Sequence, residues 1–192
     1  PLNLPFMQQD VLKKINQPLI LMGYMGSGKT SIGKKISNVL NINFFDLDEL
    51  IEKNYNRSVK NIFNDFGEIE FRKKERVVLE KIICKKKLFV LSLGGGTPCY
   101  FDNIDLIVEK TDLTFFLRPN IKQLSKKLFK KKSKRPLIKD VKTEKKMIEF
   151  VSKHMLERIN YYKKAQYHVT YDLNDKMDAC KKIIGILNKN SL

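Results

Sequence analysis

The chain has 192 residues, 42% hydrophobic and 31% charged, enough for one domain with its own core. No apolar run reaches the ~18 residues that a membrane-spanning helix needs. The net charge of +17 would suit nucleic acid, an anionic lipid surface or a phosphorylated small molecule. Alanine occurs only twice while lysine, asparagine and isoleucine abound, so an AT-rich genome accounts for most of that charge. The lysine runs 85–87 and 130–132 have no interleaved aromatic residues for base stacking and read as solvated surface.

In chain order, residues 1–17 read as an extension or tag remnant without the apolar core of a secretion signal, and Met7 reads as a natural start. Pro18–Met22 is a short buried strand, followed by a glycine-rich turn and a helix over Thr30–Leu40. Asn43–Phe45 predicts a second strand ending at Asp46, and Ser58–Lys87 a helical stretch broken at Gly67. Helical spacing of Phe71, Val78, Leu79, Ile82 and Ile83 marks a core face. Leu88–Leu93 and Leu113–Leu117 are further strands; His168–Tyr171 is a last one before a helix over Asp178–Asn188. Strands alternating with helices imply an α/β fold with a parallel sheet covered on both faces. The polar, lysine-rich stretch 130–146, interrupted by Pro136, reads as a mobile lid.

Cys84, Cys99 and Cys180 are odd in number and far apart, which fits reduced thiols in a cytoplasmic protein; His154 and His168 do not join them in a metal-ligand spacing. The chemistry lies elsewhere. Gly23-Tyr-Met-Gly-Ser-Gly28-Lys29-Thr30 is a complete phosphate-binding loop between a strand and a helix. Its glycines let backbone N–H groups curl round phosphates, Lys29 reaches the β- and γ-phosphates, and the Thr30 hydroxyl suits Mg²⁺. Asp46 and Asp48, two apart at a strand's carboxyl end, point the same way. One of them could position Mg²⁺ while the other takes a proton from an attacking hydroxyl; alternatively, Asp48 caps a helix over Glu49–Lys53. Gly94, Gly95 and Gly96 end another strand and permit close approach of a small ligand.

Only six of the 38 basic residues are arginine: Arg57, Arg72, Arg76, Arg118, Arg135 and Arg158. A guanidinium grips a carboxylate or phosphate with two parallel hydrogen bonds where an ammonium cannot, so each marks a place where the fork is wanted. Arg72 stands out beside Lys73 and Lys74, which read as solvated. Arg135, beside Pro136 in the lid stretch, is suited to folding over a triphosphate.

Taken in order, GYMGSGKT, FFDLDELIE, GEIEFRKKE, LSLGGGTP, RPLI and ERINYYKKA resemble the shikimate kinase family over most of the chain. The resemblance implies a three-layer α/β/α sandwich of the P-loop kinase type, with a five-stranded parallel sheet and a mobile lid over about 126–146. It implies transfer of the γ-phosphate of ATP to the 3-hydroxyl of shikimate in aromatic amino-acid biosynthesis, with Mg²⁺, by a cytoplasmic monomer without nucleic-acid or membrane partners. Gly26, Ser27, Gly28, Lys29, Thr30, Ser31 and Arg135 would hold ATP, with Thr30 and Asp46 at the metal. Asp48 would bind the acceptor and serve as base; Arg72 and Arg158 would clamp its carboxylate, and Gly94, Gly95 and Gly96 would line its pocket. Lys29, Asp48 and Arg135 would be catalytic. A related metabolite kinase, such as gluconate kinase, also needs arginines, but the combination of DxD, FRxxE and GGG favours shikimate. Before the RPL motif, Leu128, Phe129 and lysines stand where the family often has an arginine packing on adenine.

Overall fold

The computed structural model describes residues 15–85 and 87–189; Met7, most of the expected extension and Lys86 lie outside the described residues. Five strands, β1 (Leu19–Met22), β2 (Asn43–Asp46), β3 (Phe89–Ser92), β4 (Thr114–Pro119) and β5 (Tyr167–Tyr171), form one sheet in the order β2-β3-β1-β4-β5. Every pairing is parallel, and helices lie on both sides of the sheet, giving the expected three-layer sandwich. The central strands β1 and β3 are buried throughout, as their apolar runs require in a sheet covered on both faces.

The chain visits β2 and β3 on one side of β1, then crosses to β4 and β5 on the other. A crevice therefore opens at the carboxyl end of β1, where open parallel sheets bind ligands. Register brings the strand ends level: Ser92 pairs with both Leu21 and Asp46, so the loops after β1, β2 and β3 leave from one rim.

Helix α1 (Lys29–Leu40) follows Gly28, whose φ of 94° is one that side-chain-bearing residues rarely adopt. Its Ile32, Ile36 and Leu40, four residues apart, face the sheet. Helix α3 (Val59–Ile83) begins at Ser58, whose hydroxyl accepts the Asn61 N–H at 3.1 Å, and is broken at Gly67 with φ 78° and ψ 177°. Beyond the break Phe71, Val78, Leu79, Ile82 and Ile83 are buried, as their spacing predicts. The remaining helices are α4 (Asn103–Lys110), α5 (Ile121–Lys130), α6 (Glu144–Leu156), α7 (Ile159–Tyr162) and α8 (Lys176–Lys189).

Of the two readings of Asp48, the capping one is set aside. Asp48 caps nothing: helix α2 (Leu47–Tyr55) starts earlier than Glu49, and its cap is Asp46, whose Oδ1 accepts the Asp48 N–H at 3.1 Å. Strand β2 thus hands straight over to a helix, which leaves the Asp48 side chain free. The stretch 126–146, expected as a lid, carries short elements of its own. Residues 126–130 are the last turns of α5, held down by buried Leu128, and two 3₁₀ turns follow over Lys132–Lys134 and Pro136–Ile138. Ile138 is fully buried, and within the stretch Lys132 Nζ donates to the Val141 carbonyl at 2.5 Å.

Candidate active site

The loop between β1 and α1 is held from three sides. Lys127 of α5 donates to the Gly26 carbonyl at 2.8 Å, Tyr171 at the end of β5 donates to the Ser27 carbonyl, and Ser27 N–H donates to the Tyr24 carbonyl at 3.2 Å. Lys29 is buried, with its ammonium 2.9 Å from the Gly23 carbonyl and 3.1 Å from that of Tyr24. Burial depresses its pKa to about 8, against the support of Asp48 and Asp46 and with the help of Arg135 and Lys127. The positive charges of Arg135 and Lys127 are therefore directed at this loop.

Thr30, the first-turn hydroxyl of α1, donates to Asp46 Oδ2 at 2.7 Å. The hydroxyl and the carboxylate present hard oxygens side by side, the donor type that Mg²⁺ selects. Asp48 lies one step further into the crevice and keeps a face open to water. Its crowded surroundings push its pKa up to about 6: desolvation leads, Asp46 and Glu75 add negative charge, and Lys29 and Arg72 oppose. A carboxylate so tuned is suited to taking a proton near neutral pH.

Arg72 is buried on α3, and its fork is already engaged. Nη1 donates to Glu75 Oε2 at 2.8 Å and Nη2 to Glu68 Oε1 at 3.1 Å, while the guanidinium lies 4.0 Å from the centre of the Tyr100 ring. Burial works against its charge, but Glu75 and then Glu68 outweigh it and hold the pKa above the ordinary arginine value. Arg72 Nε is buried and makes no hydrogen bond. Glu75 is fully buried and also accepts from Thr97 Oγ1 at 2.6 Å.

The three glycines after β3 each touch a different part of this arrangement. A methyl group built on Gly94 would lie 3.1 Å from Asp48 Oδ1 and 3.1 Å from Glu75 Oε1; on Gly95, 3.0 Å from the Met25 backbone nitrogen; on Gly96, 2.5 Å from Arg72 Nη2. Acceptor-side carboxylates, phosphate loop and guanidinium thus meet along three consecutive residues. Arg158 joins them from the far end of the chain, donating from Nη1 to the Gly95 carbonyl at 3.4 Å, and Tyr162 donates to the same oxygen at 2.5 Å. Arg158 at the Gly95 carbonyl and Arg72 against Gly96 thus flank neighbouring residues of this loop. Arg135 is half-buried, its pKa lowered by burial and supported by Tyr24.

On the other side of the phosphate loop is a cleft of about 560 Å³ lined by Gln123, Lys126, Lys127, Lys130, Lys131, Leu173, Asn174 and Lys176. Of the lysine run 130–132, Lys130 and Lys131 are exposed, as expected, and border this cleft, while half-buried Lys132 lies 4.8 Å from the centre of the Phe129 ring. Exposed Lys73 does pair only with Glu70, but Lys74 lies over the rings of Tyr55 and Phe66. Ser31 is exposed and accepts from Lys176 at 3.3 Å. Among the described residues no His, Cys, Asp or Glu cluster forms a metal centre of its own.

Sequence reading missed Glu68, Tyr100, Tyr162, His154 and Lys127 at this site. Glu75 and Glu68 lie three and four residues from Arg72 on the same helix, whereas the others come from distant segments.

The model of the shikimate kinase family matches residues 25–188. A shikimate kinase of Flavobacterium psychrophilum is 41% identical over 170 residues, covering 88% of this chain and 98% of that protein. The crystal structure of shikimate kinase from Bacteroides thetaiotaomicron superposes with a TM-score of 0.78 at 32% identity, covering 90% of this chain and 97% of that one. Shikimate kinase from Acinetobacter baumannii, in complex with shikimate, gives 0.81 at 26% identity, covering 95% and 99%. With the parallel sheet, the phosphate loop and the paired arginines in one crevice, these matches leave a single conclusion: the chain belongs to the shikimate kinase family.

Proposed function

We propose that this crevice transfers the γ-phosphate of ATP to the 3-hydroxyl of shikimate, with Asp48 as base and Arg72 and Arg158 gripping the acceptor carboxylate. The observation that carries the reading is the meeting of Asp48, Arg72 and the phosphate loop along Gly94, Gly95 and Gly96. ATP lies with its phosphates in the loop Gly26–Ser31 and its base in the lysine-lined cleft, the side away from the acceptor arginines. Lys29 leaves the Gly23 and Tyr24 carbonyls for the phosphates, and Arg135 closes over them. Both charges stabilise the negative charge that develops in transfer.

Thr30 and Asp46 fit Mg²⁺ carried in with the nucleotide, since hydroxyl and carboxylate oxygens stand together at the loop. The ion would supply charge neutralisation between the phosphates. Asp48 orients the acceptor hydroxyl towards the γ-phosphate and takes its proton as the new bond forms. Arg72 Nε, a buried donor without a partner, provides a hydrogen bond for a carboxylate; so does Arg158, whose contact with the Gly95 carbonyl is long and easily exchanged. Held at both ends, the acceptor is positioned for in-line attack, and positioning contributes a large share of such rate gains.

We propose that the chain works as a monomer. No described helix is long and apolar enough to cross a membrane. The test is ADP release from Mg-ATP with and without shikimate, gluconate or a nucleoside monophosphate. Stimulation by shikimate alone is expected; equal stimulation by another acceptor, or none by shikimate, overturns the assignment.

A further inference from the structure

Tyr24 is a fully buried tyrosine inside the phosphate loop, and its hydroxyl stands 2.8 Å from His154 Nδ1 on α6. The two rings meet edge to face at 5.5 Å, and Phe150 closes the far side of His154 at the same distance. Burial pushes the Tyr24 phenol up to about 12, so the hydroxyl stays protonated and pairs with Nδ1 in the direction that the imidazole tautomer sets. The backbone of Tyr24 is committed as well: its carbonyl accepts from Lys29 Nζ and from Ser27 N–H. The Arg158 guanidinium lies 6.0 Å from the centre of the Tyr24 ring, within reach of its π-face. Arg158 follows His154 by four residues, just past the end of α6, where its N–H donates to the Met155 carbonyl at 3.1 Å. The Gly95 carbonyl that receives Arg158 and Tyr162 abuts Tyr24 in turn, since a methyl on Gly95 would lie 3.6 Å from the Tyr24 carbonyl carbon.

We propose that the Tyr24–His154 hydrogen bond is a positioning device that fixes Arg158 and the Gly95 carbonyl, and so registers the acceptor clamp against the phosphate loop. Three surfaces meet at one ring: loop backbone below, imidazole at the hydroxyl, guanidinium over the face. A buried tyrosine hydroxyl seeks a partner, and here the partner is borne by the segment that carries the clamp arginine. The phosphate side of the loop has its own supports in Lys127 and Tyr171. Losing the bond therefore loosens the acceptor end while leaving nucleotide binding in place. The inference rests on Arg158 acting as an acceptor clamp, as proposed above.

Steady-state kinetics in shikimate and in ATP, with thermal unfolding, test it on four variants. His154→Phe keeps the ring contacts and removes the Nδ1 partner; KM for shikimate rises about tenfold while KM for ATP stays within about twofold. His154→Asn restores a polar partner near the Nδ1 position and returns KM for shikimate to within about twofold of wild type. The double variant Tyr24→Phe with His154→Phe leaves no polar group unpaired, so it regains the wild-type Tm yet keeps the raised KM. An unchanged KM in His154→Phe, failure of asparagine to rescue, or recovery of KM together with Tm in the double variant overturns the inference. Arg158→Lys separates the two readings. If it raises KM for shikimate and His154→Phe does not, only the positioning role fails; if Arg158→Lys leaves KM unchanged, the clamp itself fails.

Discussion

Arg72 and Glu75 stand one helical turn apart on α3 as a buried ion pair, Nη1 2.8 Å from Oε2, with no water-exposed surface on Glu75. Glu75 serves two neighbours, taking a second hydrogen bond from Thr97. The arginine is thereby held in one plane before any acceptor arrives, with Tyr100 against its face. A lysine at this position could pair with Glu75 but could not keep a second donor edge turned to the pocket. Arg72→Lys is expected to raise KM for shikimate at least about tenfold with kcat changed much less, the signature of lost ground-state binding. Equal KM values in wild type and variant would remove Arg72 from the clamp.

Gly96 lies against that guanidinium. Its replacement by alanine places a methyl 2.5 Å from Arg72 Nη2, which must move because Glu75 and Glu68 hold its other contacts. Gly96→Ala is expected to mimic Arg72→Lys, with KM for shikimate raised about tenfold and KM for ATP unaffected. A change in ATP binding of the same size would show that the methyl disturbs the phosphate loop instead.

Asp48 titrates near pH 6, above the ordinary aspartate value, so its ionised form is the disfavoured one in the folded protein. Two consequences have opposite signs. As a base it works only when ionised, so kcat/KM for shikimate falls about tenfold per unit below pH 6. Asp48→Asn removes that limb and costs roughly 10²–10⁴ in kcat. For stability, a carboxyl with a raised folded value contributes fully at low pH and loses that contribution as pH rises through about 6. Asp48→Asn therefore melts above wild type at pH 7.5, as differential scanning calorimetry would show; a lower Tm would mean that the charge is structurally required.

Lys29, depressed to about 8, is substantially neutral at pH 8.5. Phosphate oxygens restore its charge, so nucleotide binding at that pH takes up a proton. Titration calorimetry in two buffers of different ionisation enthalpy is expected to show a buffer-dependent heat at pH 8.5 that disappears at pH 6.5 and in Lys29→Met. Identical heats in both buffers at pH 8.5 would contradict the depressed value.

Much of this was legible because each signal was local. The phosphate loop, the period-two pair Asp46 and Asp48, and the glycine run each announce themselves within a few residues at a strand end, and alternating apolar runs supplied the five strands. What the sequence hid depends on contacts across the fold. Arg72 could be singled out against a lysine background, but its stacking on Tyr100 joins residues 28 positions apart, and the Tyr24–His154 bond spans 130. Which aspartate caps α2 was open for a similar reason. Both residues suit a cap by type, and only the extended backbone of Asp46 at the end of β2 decides between them. That the lysines at 130–131 border a cleft was hidden because the facing wall, Leu173–Lys176, lies more than forty residues further on.

The break at Gly67 gives α3 a mechanical property that its length conceals. An unbroken 25-residue helix is a stiff rod, and a tilt at one end of a rod displaces the other. The eight residues before Gly67 are mostly exposed, whereas those after it carry Arg72 and Glu75 against the sheet. At about 1.5 Å per residue the first segment would act as a ~12 Å handle on the clamp. One residue at a φ of 78° interrupts the helix and removes the handle. A side chain at Gly67 would meet nothing within 4 Å, so it is the backbone angle that calls for glycine there. The outer segment takes its own direction from buried Ile62 and from Phe63 packed on Phe71, without setting the tilt of the segment that holds the guanidinium.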